Sequence, residues 1–247
     1  SNYNALQTKL DRRFAGGWMA NIAYTFSKSM GWDSIRFYVP SEFNRNRALL
    51  GSDRPHNLQT ALVYELPFGK GRRWGGGGRI VRAIASGWQV NGLLSCFSGT
   101  PFTVSDSATL LNAPGNSQVA DQVKSKVEKI GDVGRGTRFF DPYAYRSVSG
   151  TPRFGNSGVN ALRGPGVVNL DAGVFREFQF TERWRLQFRA ESFNLTNTPH
   201  FSNPSAGANS MVMSGGEITD LGTFMSVTSI ESTHAERKLR FGLRLSF

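Results

Sequence analysis

The last eleven residues, RKLRFGLRLSF, constrain the fold of this chain more than any other feature. Leu239, Phe241, Leu243, Leu245 and Phe247 are apolar, and Lys238, Arg240, Gly242, Arg244 and Ser246 between them are polar, small or charged. A strict period of two belongs to a β-strand, whose successive side chains point to opposite faces. The dry face is long and ends on an aromatic ring, while the wet face carries the three cations. A strand standing between lipid and a watery lumen needs that arrangement.

The same alternation recurs upstream. Apolar residues recur at even positions in Trp18–Phe26 (Trp18, Ala20, Ile22, Tyr24, Phe26), Asn57–Leu66 (Leu58, Leu62, Tyr64, Leu66), Trp88–Ser98 (Trp88, Val90, Leu94, Cys96), Asn169–Phe180 (Leu170, Ala172, Val174, Phe178, Phe180, with Arg176 an exception) and Trp184–Leu195 (Trp184, Leu186, Phe188, Ala190), and Tyr3–Arg13 is a weaker copy carrying Leu6 and Leu10. These segments predict seven strands of about ten residues, the length of a tilted transmembrane β-strand. The connections alternate in length. Ala15-Gly16-Gly17, residues 67–87 and Thr181-Glu182-Arg183 are the shorter ones; residues 28–56, 99–168 and 196–235 are long. In an antiparallel meander all the shorter turns fall at one end and all the long loops at the other, as in outer-membrane barrels. A soluble sandwich does not ordinarily carry loops of this length. Trp18, Trp88 and Trp184 open strands at the short-turn end, Tyr64 and Phe68 lie near it, and Phe247 closes a strand there. They are expected to form an interfacial aromatic girdle. Within the loops, Val119, Val123, Val127 and Ile130 have helical spacing and predict a short amphipathic helix over Gln118–Ile130. Arg79–Ala85 reads as a second.

Composition narrows the alternatives. The 247 residues are 39% apolar and 12% aromatic, with no apolar run of the ~18 residues a transmembrane helix needs. A barrel escapes that criterion because half of each strand is polar. The single Cys96 supplies neither a disulfide framework nor a cysteine metal cluster. Net charge is +11, but the cations are scattered rather than clustered, which argues against nucleic acid. The start, Ser1-Asn2-Tyr3-Asn4, lacks the basic and apolar regions of a signal peptide, and the strands favour a piece of a longer protein.

Candidate chemistry is sparse. His56, His200 and His234 are the only histidines, with no ligand spacing between any two. A Ser–His pair for lipid hydrolysis would need an acidic or amide partner that the sequence does not identify. Gly69-Lys70-Gly71 and Gly75–Gly78 lack the strand–loop–helix setting of a phosphate loop. No enzyme, metal or cofactor is expected. Arg185, Arg189, Glu191, Lys238, Arg240 and Arg244 share the polar face of neighbouring strands and are expected to line a lumen; such mixed charge suits a wide barrel better than a filled eight-strand one.

Several segments carry a resemblance when taken in order. They are YNALQTKLDRRF at Tyr3–Phe14, AYTFSKS at Ala23–Ser29, DRPHN at Asp53–Asn57 and YELPFGKGR at Tyr64–Arg72. GWQVNGLLSCFSGTPFTV at Gly87–Val104, RFGNSGVNALRGPG at Arg153–Gly166, FRAESFNLTNTPHF at Phe188–Phe201 and the closing strand follow. Together they resemble the C-terminal part of TonB-dependent outer-membrane receptors of the Oar-like group. The resemblance implies a segment of an all-β, up-and-down antiparallel transmembrane barrel: seven strands of a plugged 22-strand wall, with the plug domain and signal peptide outside residues 1–247. It implies an outer-membrane location in a Gram-negative bacterium, contact with outer-membrane lipid and lipopolysaccharide, and a closing strand (Leu239, Phe241, Leu243, Leu245, Phe247) read by the barrel-assembly machinery. TonB and the plug would act through the full-length protein, and an extracellular ligand would meet the long loops. The loop around 105–150 departs from the family in length. Two other classes remain at this point: a structural or adhesive outer-membrane barrel, and a soluble basic β-sandwich binding polyanions.

Overall fold

Strands form where the alternation is, and the backbone pairing follows from it. The computed structural model describes residues 1–32, 35–68, 86–150, 152–231 and 236–247. Seven long strands among them make one antiparallel meander: β1 (Asn2–Ala15), β2 (Trp18–Gly31), β3 (His56–Glu65), β4 (Trp88–Phe97), β5 (Val167–Gln179), β6 (Arg185–Phe193) and β7 (Lys238–Ser246). Each pairs with its sequence neighbours, and β1 and β7 are not paired to each other, so the sheet is open. No described helix is long and apolar enough to cross a membrane. The expected loop helix over Arg79–Ala85 lies outside the described residues.

The β1–β2 turn is Gly16-Gly17, both at positive φ (64° and 87°). A two-residue loop with both φ positive matches the right-handed twist of the strands it joins. The turn from β5 to β6 closes with Phe180 N–H donating to the Trp184 carbonyl at 3.0 Å. Strand β2 runs to Gly31, beyond the expected end at Phe26, because Ser27–Met30 pair with Asn2–Ala5 of β1 and Met30 and Gly31 also pair with Leu49 and Ala48. Trp184 stands just before β6 rather than within it.

Register assigns the faces. The pairs Trp18↔Tyr64, Tyr64↔Val90, Val90↔Val174, Val174↔Ala190 and Ala190↔Phe241 put the apolar positions of β2–β7 on one side. Leu6↔Phe26 and Leu10↔Ile22 add β1 to it. The same register shows a stagger. Trp88 lies two residues beyond Val90, the position level with Trp18, and Trp184 lies six beyond Ala190. For these rings to share one height, the strands must tilt: two residues over two strand steps correspond to roughly 35°, and six over four to roughly 45°, at ~3.3 Å per residue and ~4.8 Å per strand. Membrane barrels have that tilt, about 35–45°. The opposite end drifts in the same sense: Ser192 near the end of β6 is level with Ala20, whereas β2 continues paired to Met30.

The buried core lies in the long loops rather than on the sheet. Phe102, Val104, Ala120, Ala144, Tyr145, Ala208, Met211, Phe224 and Met225 pack together from two loops. Short antiparallel pairs frame them: Pro101–Phe102 with Leu162–Arg163, Ser105–Asp106 with Gln118–Val119, Asp121–Gln122 with Tyr145–Arg146, and Val212–Ser214 with Glu217–Asp220. Loop joins loop through Phe139 N–H to the Met225 carbonyl (2.9 Å) and Val227 N–H to that of Thr137 (2.9 Å). The helix expected over Gln118–Ile130 does not form. Its backbone is committed to the two ladders just named, and its apolar residues diverge: Val119 is buried beside Phe37, Val127 packs on the larger cluster, and Val123 and Ile130 are exposed.

Tyr145 is fully buried in that core, and its hydroxyl finds no hydrogen-bond partner among the described residues. Desolvation pushes its pKa up to about 12. A buried hydroxyl without a partner costs about 1–3 kcal/mol. Tyr145→Phe should therefore stabilise the lobe by about 1 kcal/mol, and Phe224→Ala should destabilise it by about 3–5 kcal/mol. The urea concentration at which the membrane-embedded protein becomes protease-sensitive in these loops measures both.

Candidate functional site

The long-loop end of the sheet is held to the strands by a charged latch. Asp53 is buried at the foot of the first long loop. Its Oδ1 accepts from Ser29 N–H (2.6 Å) and its Oδ2 from Arg163 Nη2 (2.6 Å). Arg163 Nη1 donates to the carbonyls of Asp53 and Gly99, both at 2.8 Å. A fork-shaped guanidinium spans carboxylate and carbonyls at once, which an ammonium cannot do. Next to it, Arg54 Nη1 donates to the Ser98 carbonyl (3.0 Å) and its guanidinium lies 5.4 Å from the Phe97 ring centroid. Ser27 N–H donates to the Pro55 carbonyl and Ser98 N–H to that of His56, both at 2.9 Å. The ends of β2, β3, β4 and β5 are thereby tied together. The backbones approach so closely that a Cβ on Gly99 would stand 1.9 Å from the Gly164 carbonyl oxygen.

A second set of contacts joins the first loop to the second. Asn46 is buried: its Oδ1 accepts from Arg36 and Phe37 N–H, and its Nδ2 donates to the carbonyls of Phe37 and Phe43. Arg45 stacks on Phe37 at 4.5 Å and donates to the Gly155 carbonyl at 2.6 Å. Arg153 Nη1 donates to Asp121 Oδ1 at 2.8 Å, and this hydrogen bond holds the Asp121 carboxyl below its usual range. The outcome is a folded lobe over the strand ends, with Trp32, Tyr38, Phe43 and Tyr143 exposed on it.

The sequence-derived residues fall into two groups. Trp18, Tyr64, Trp88 and the apolar side chains of β7 (Leu239, Phe241, Leu243, Leu245) lie on the apolar face. Trp184 stacks on Phe247 with ring centroids 5.3 Å apart. Two cations also occupy this face at the short-turn end, each over an indole: Arg12 over Trp18 at 3.9 Å, and Arg176 over Trp88 at 5.3 Å and Phe178 at 4.1 Å. Arg185, Arg189, Glu191, Lys238, Arg240 and Arg244 share the opposite, polar face of β6 and β7. His56 opens β3 at its long-loop end, its Nδ1 2.8 Å from the Tyr24 hydroxyl, and His200 is buried in the third long loop. His234 lies outside the described residues. Among the described residues, no three His, Cys, Asp or Glu side chains converge as a metal site. Sequence reading singled out DRPHN and RFGNSGVNALRGPG but not the pairing of Asp53 with Arg163. An aspartate before Arg54-Pro55 in one loop and an arginine before Gly164-Pro165-Gly166 in another were the only signals.

A twofold-periodic meander with one apolar and one polar face, an aromatic rim and strongly unequal loops defines a wall of a membrane-spanning β-barrel. The model of the outer membrane beta barrel domain family matches residues 1–239. The chain belongs to that family, and its place is the outer membrane of a Gram-negative bacterium. No curated protein and no solved structure is significantly similar to it.

Two measurements test this geometry. Arg163→Lys should be nearly as damaging as Arg163→Ala: breaking a buried pair costs about 3–5 kcal/mol, and limited proteolysis should cut the first two long loops while the strands stay protected. The Asp121–Arg153 pair sets a pH dependence. Because the folded carboxyl titrates below the ordinary aspartate range, its contribution is complete above that ordinary range and is lost as pH falls through the lower folded value. Asp121→Asn should flatten this acid limb in lobe proteolysis and leave neutral-pH behaviour of the strands unchanged.

Proposed function

We propose that the chain is the C-terminal wall of a TonB-dependent receptor that takes up an extracellular ligand. One observation carries the reading: a sheared, seven-strand amphipathic sheet whose two outer edges are both unpaired among the described residues, capped at one end by a folded lobe. Unpaired backbone groups are not tolerated in lipid, so β1 and β7 need further strands. A 22-strand barrel built around a plug supplies them. The apolar face meets outer-membrane lipid and lipopolysaccharide, and the polar face looks on the lumen. On β2, the ten residue steps from Trp18 to Lys28 project to roughly 23 Å at a 45° tilt, close to the ~25 Å apolar band of such barrels. Arg12 and Arg176, stacked on girdle indoles, sit where a cation on the lipid face costs least, about 0–1 kcal/mol at the interface. The β7 strand ending in Phe247 acts as the signal for the barrel-assembly machinery. The ligand meets the plug and the loops over 28–56, 99–168 and 196–235, with TonB acting through the full-length polypeptide.

Residues 1–247 alone should not give a homogeneous, heat-modifiable species on refolding in detergent, whereas the full-length protein should; a stable closed barrel from this chain would refute the multi-strand wall. Uptake decides the transport reading. Deleting the gene and inactivating TonB should each abolish accumulation of the same ligand. An intact uptake profile with loss of surface attachment would make the protein an adhesive barrel instead.

A further inference from the structure

The polar face of β6–β7 carries a ladder of cations in which each rung holds one. The cross-strand pairs are Phe193↔Lys238, Glu191↔Arg240, Arg189↔Gly242, Gln187↔Arg244 and Arg185↔Ser246. Lys238, Arg240 and Arg244 stand on β7 and Arg185 and Arg189 on β6, and no two cations stand directly opposite, an arrangement that avoids like-charge repulsion. Successive rungs on one face are two residues, or roughly 6.7 Å, apart. The polar faces of β2, β3 and β4 carry one charged residue, Glu65, β5 carries Asp171 and Glu177, and on β1 Lys9 is paired with Asp11, so the run of cations belongs to β6 and β7.

Carboxylates flank the ladder without neutralising it. Arg185 is 3.9 Å from Glu177, Arg240 is 4.0 Å from Glu191, and Lys238 is 3.3 Å from Glu236. Exposed pairs at such distances are weak, about 0–1 kcal/mol, and readily exchanged. In the middle, Arg189 donates to Gln187 Oε1 at 2.8 Å, and Arg244 has no ion-pair partner among the described residues. Both border a concavity of about 480 Å³ with Arg183, Arg185 and Glu177.

We propose that this ladder binds an extended acidic polypeptide with a carboxylate on every second residue. Alternate side chains of an extended chain repeat at the rung spacing, and four of the five cations are arginines, whose planar forks match carboxylates. The inference rests on the barrel reading for where the face points, not for its charge.

The test uses outer membranes from cells producing the whole polypeptide and two fluorescent nonapeptides of identical composition, five Glu and four Thr. In one the glutamates alternate; in the other they form a block. The alternating peptide should bind tighter than the block isomer, and Arg189→Gln/Arg244→Gln should weaken it about tenfold, the scale of two charge-assisted contacts at an exposed site. Arg189→Glu/Arg244→Glu should instead retain an alternating Lys–Thr nonapeptide. Equal binding of both isomers, no effect of the Gln pair, or retention of polyphosphate but neither peptide would overturn the proposal. Loss of the protein from the outer-membrane fraction would count against the barrel reading; peptide binding to the detergent-extracted protein then reports on the ladder separately.

Discussion

A peptide backbone in hydrocarbon has no water to bond to, and most of this structure follows from that. Each N–H and C=O in the wall must pair within the wall. A strand satisfies the requirement only through its neighbours, which is why β1 to β7 form one uninterrupted meander. The twofold side-chain period then gives each strand a lipid side and a water side at once. The stagger between neighbouring strands turns a flat ribbon into a tilted one, the geometry a barrel needs to close.

The wall is amphipathic without being a core, and burial is found elsewhere. Nearly all of β1 and β7 is exposed in the open sheet, whereas Tyr145, Phe224 and Met225 in the loops are fully enclosed. The lobe is therefore a folded unit in its own right, and Asp53 with Arg163 fixes it to the strand ends. A lobe anchored in that way has a defined surface beyond the strand ends.

All seven strands were legible because alternation is a local signal, repeated over about ten residues each time. Their ends were less so. The extension of β2 to Gly31 depends on Asn2–Ala5 of β1 on one side and on Ala48 and Leu49 on the other, residues outside the alternating segment of β2. The spacing of Val119, Val123, Val127 and Ile130 pointed to a helix, and tertiary pairing overrode it. The contacts that decide this segment come from Ser105, Tyr145 and Phe37, far away in the chain. The six charged residues expected on one polar face do share it, yet their order along the rungs came only with the register.

From its sequence alone the chain specified the order of its long described strands and which side of each is apolar. Those properties depend on neighbours two residues apart. The tertiary structure decided the stagger of the sheet, the one-cation-per-rung order of β6 and β7, the loop core around Tyr145 and the latch of Asp53 to Arg163. Each of these depends on how far one strand slides past the next, or on residues brought together from more than a hundred positions away. A period of two is blind to both: it says which way a side chain points, not which side chain stands opposite.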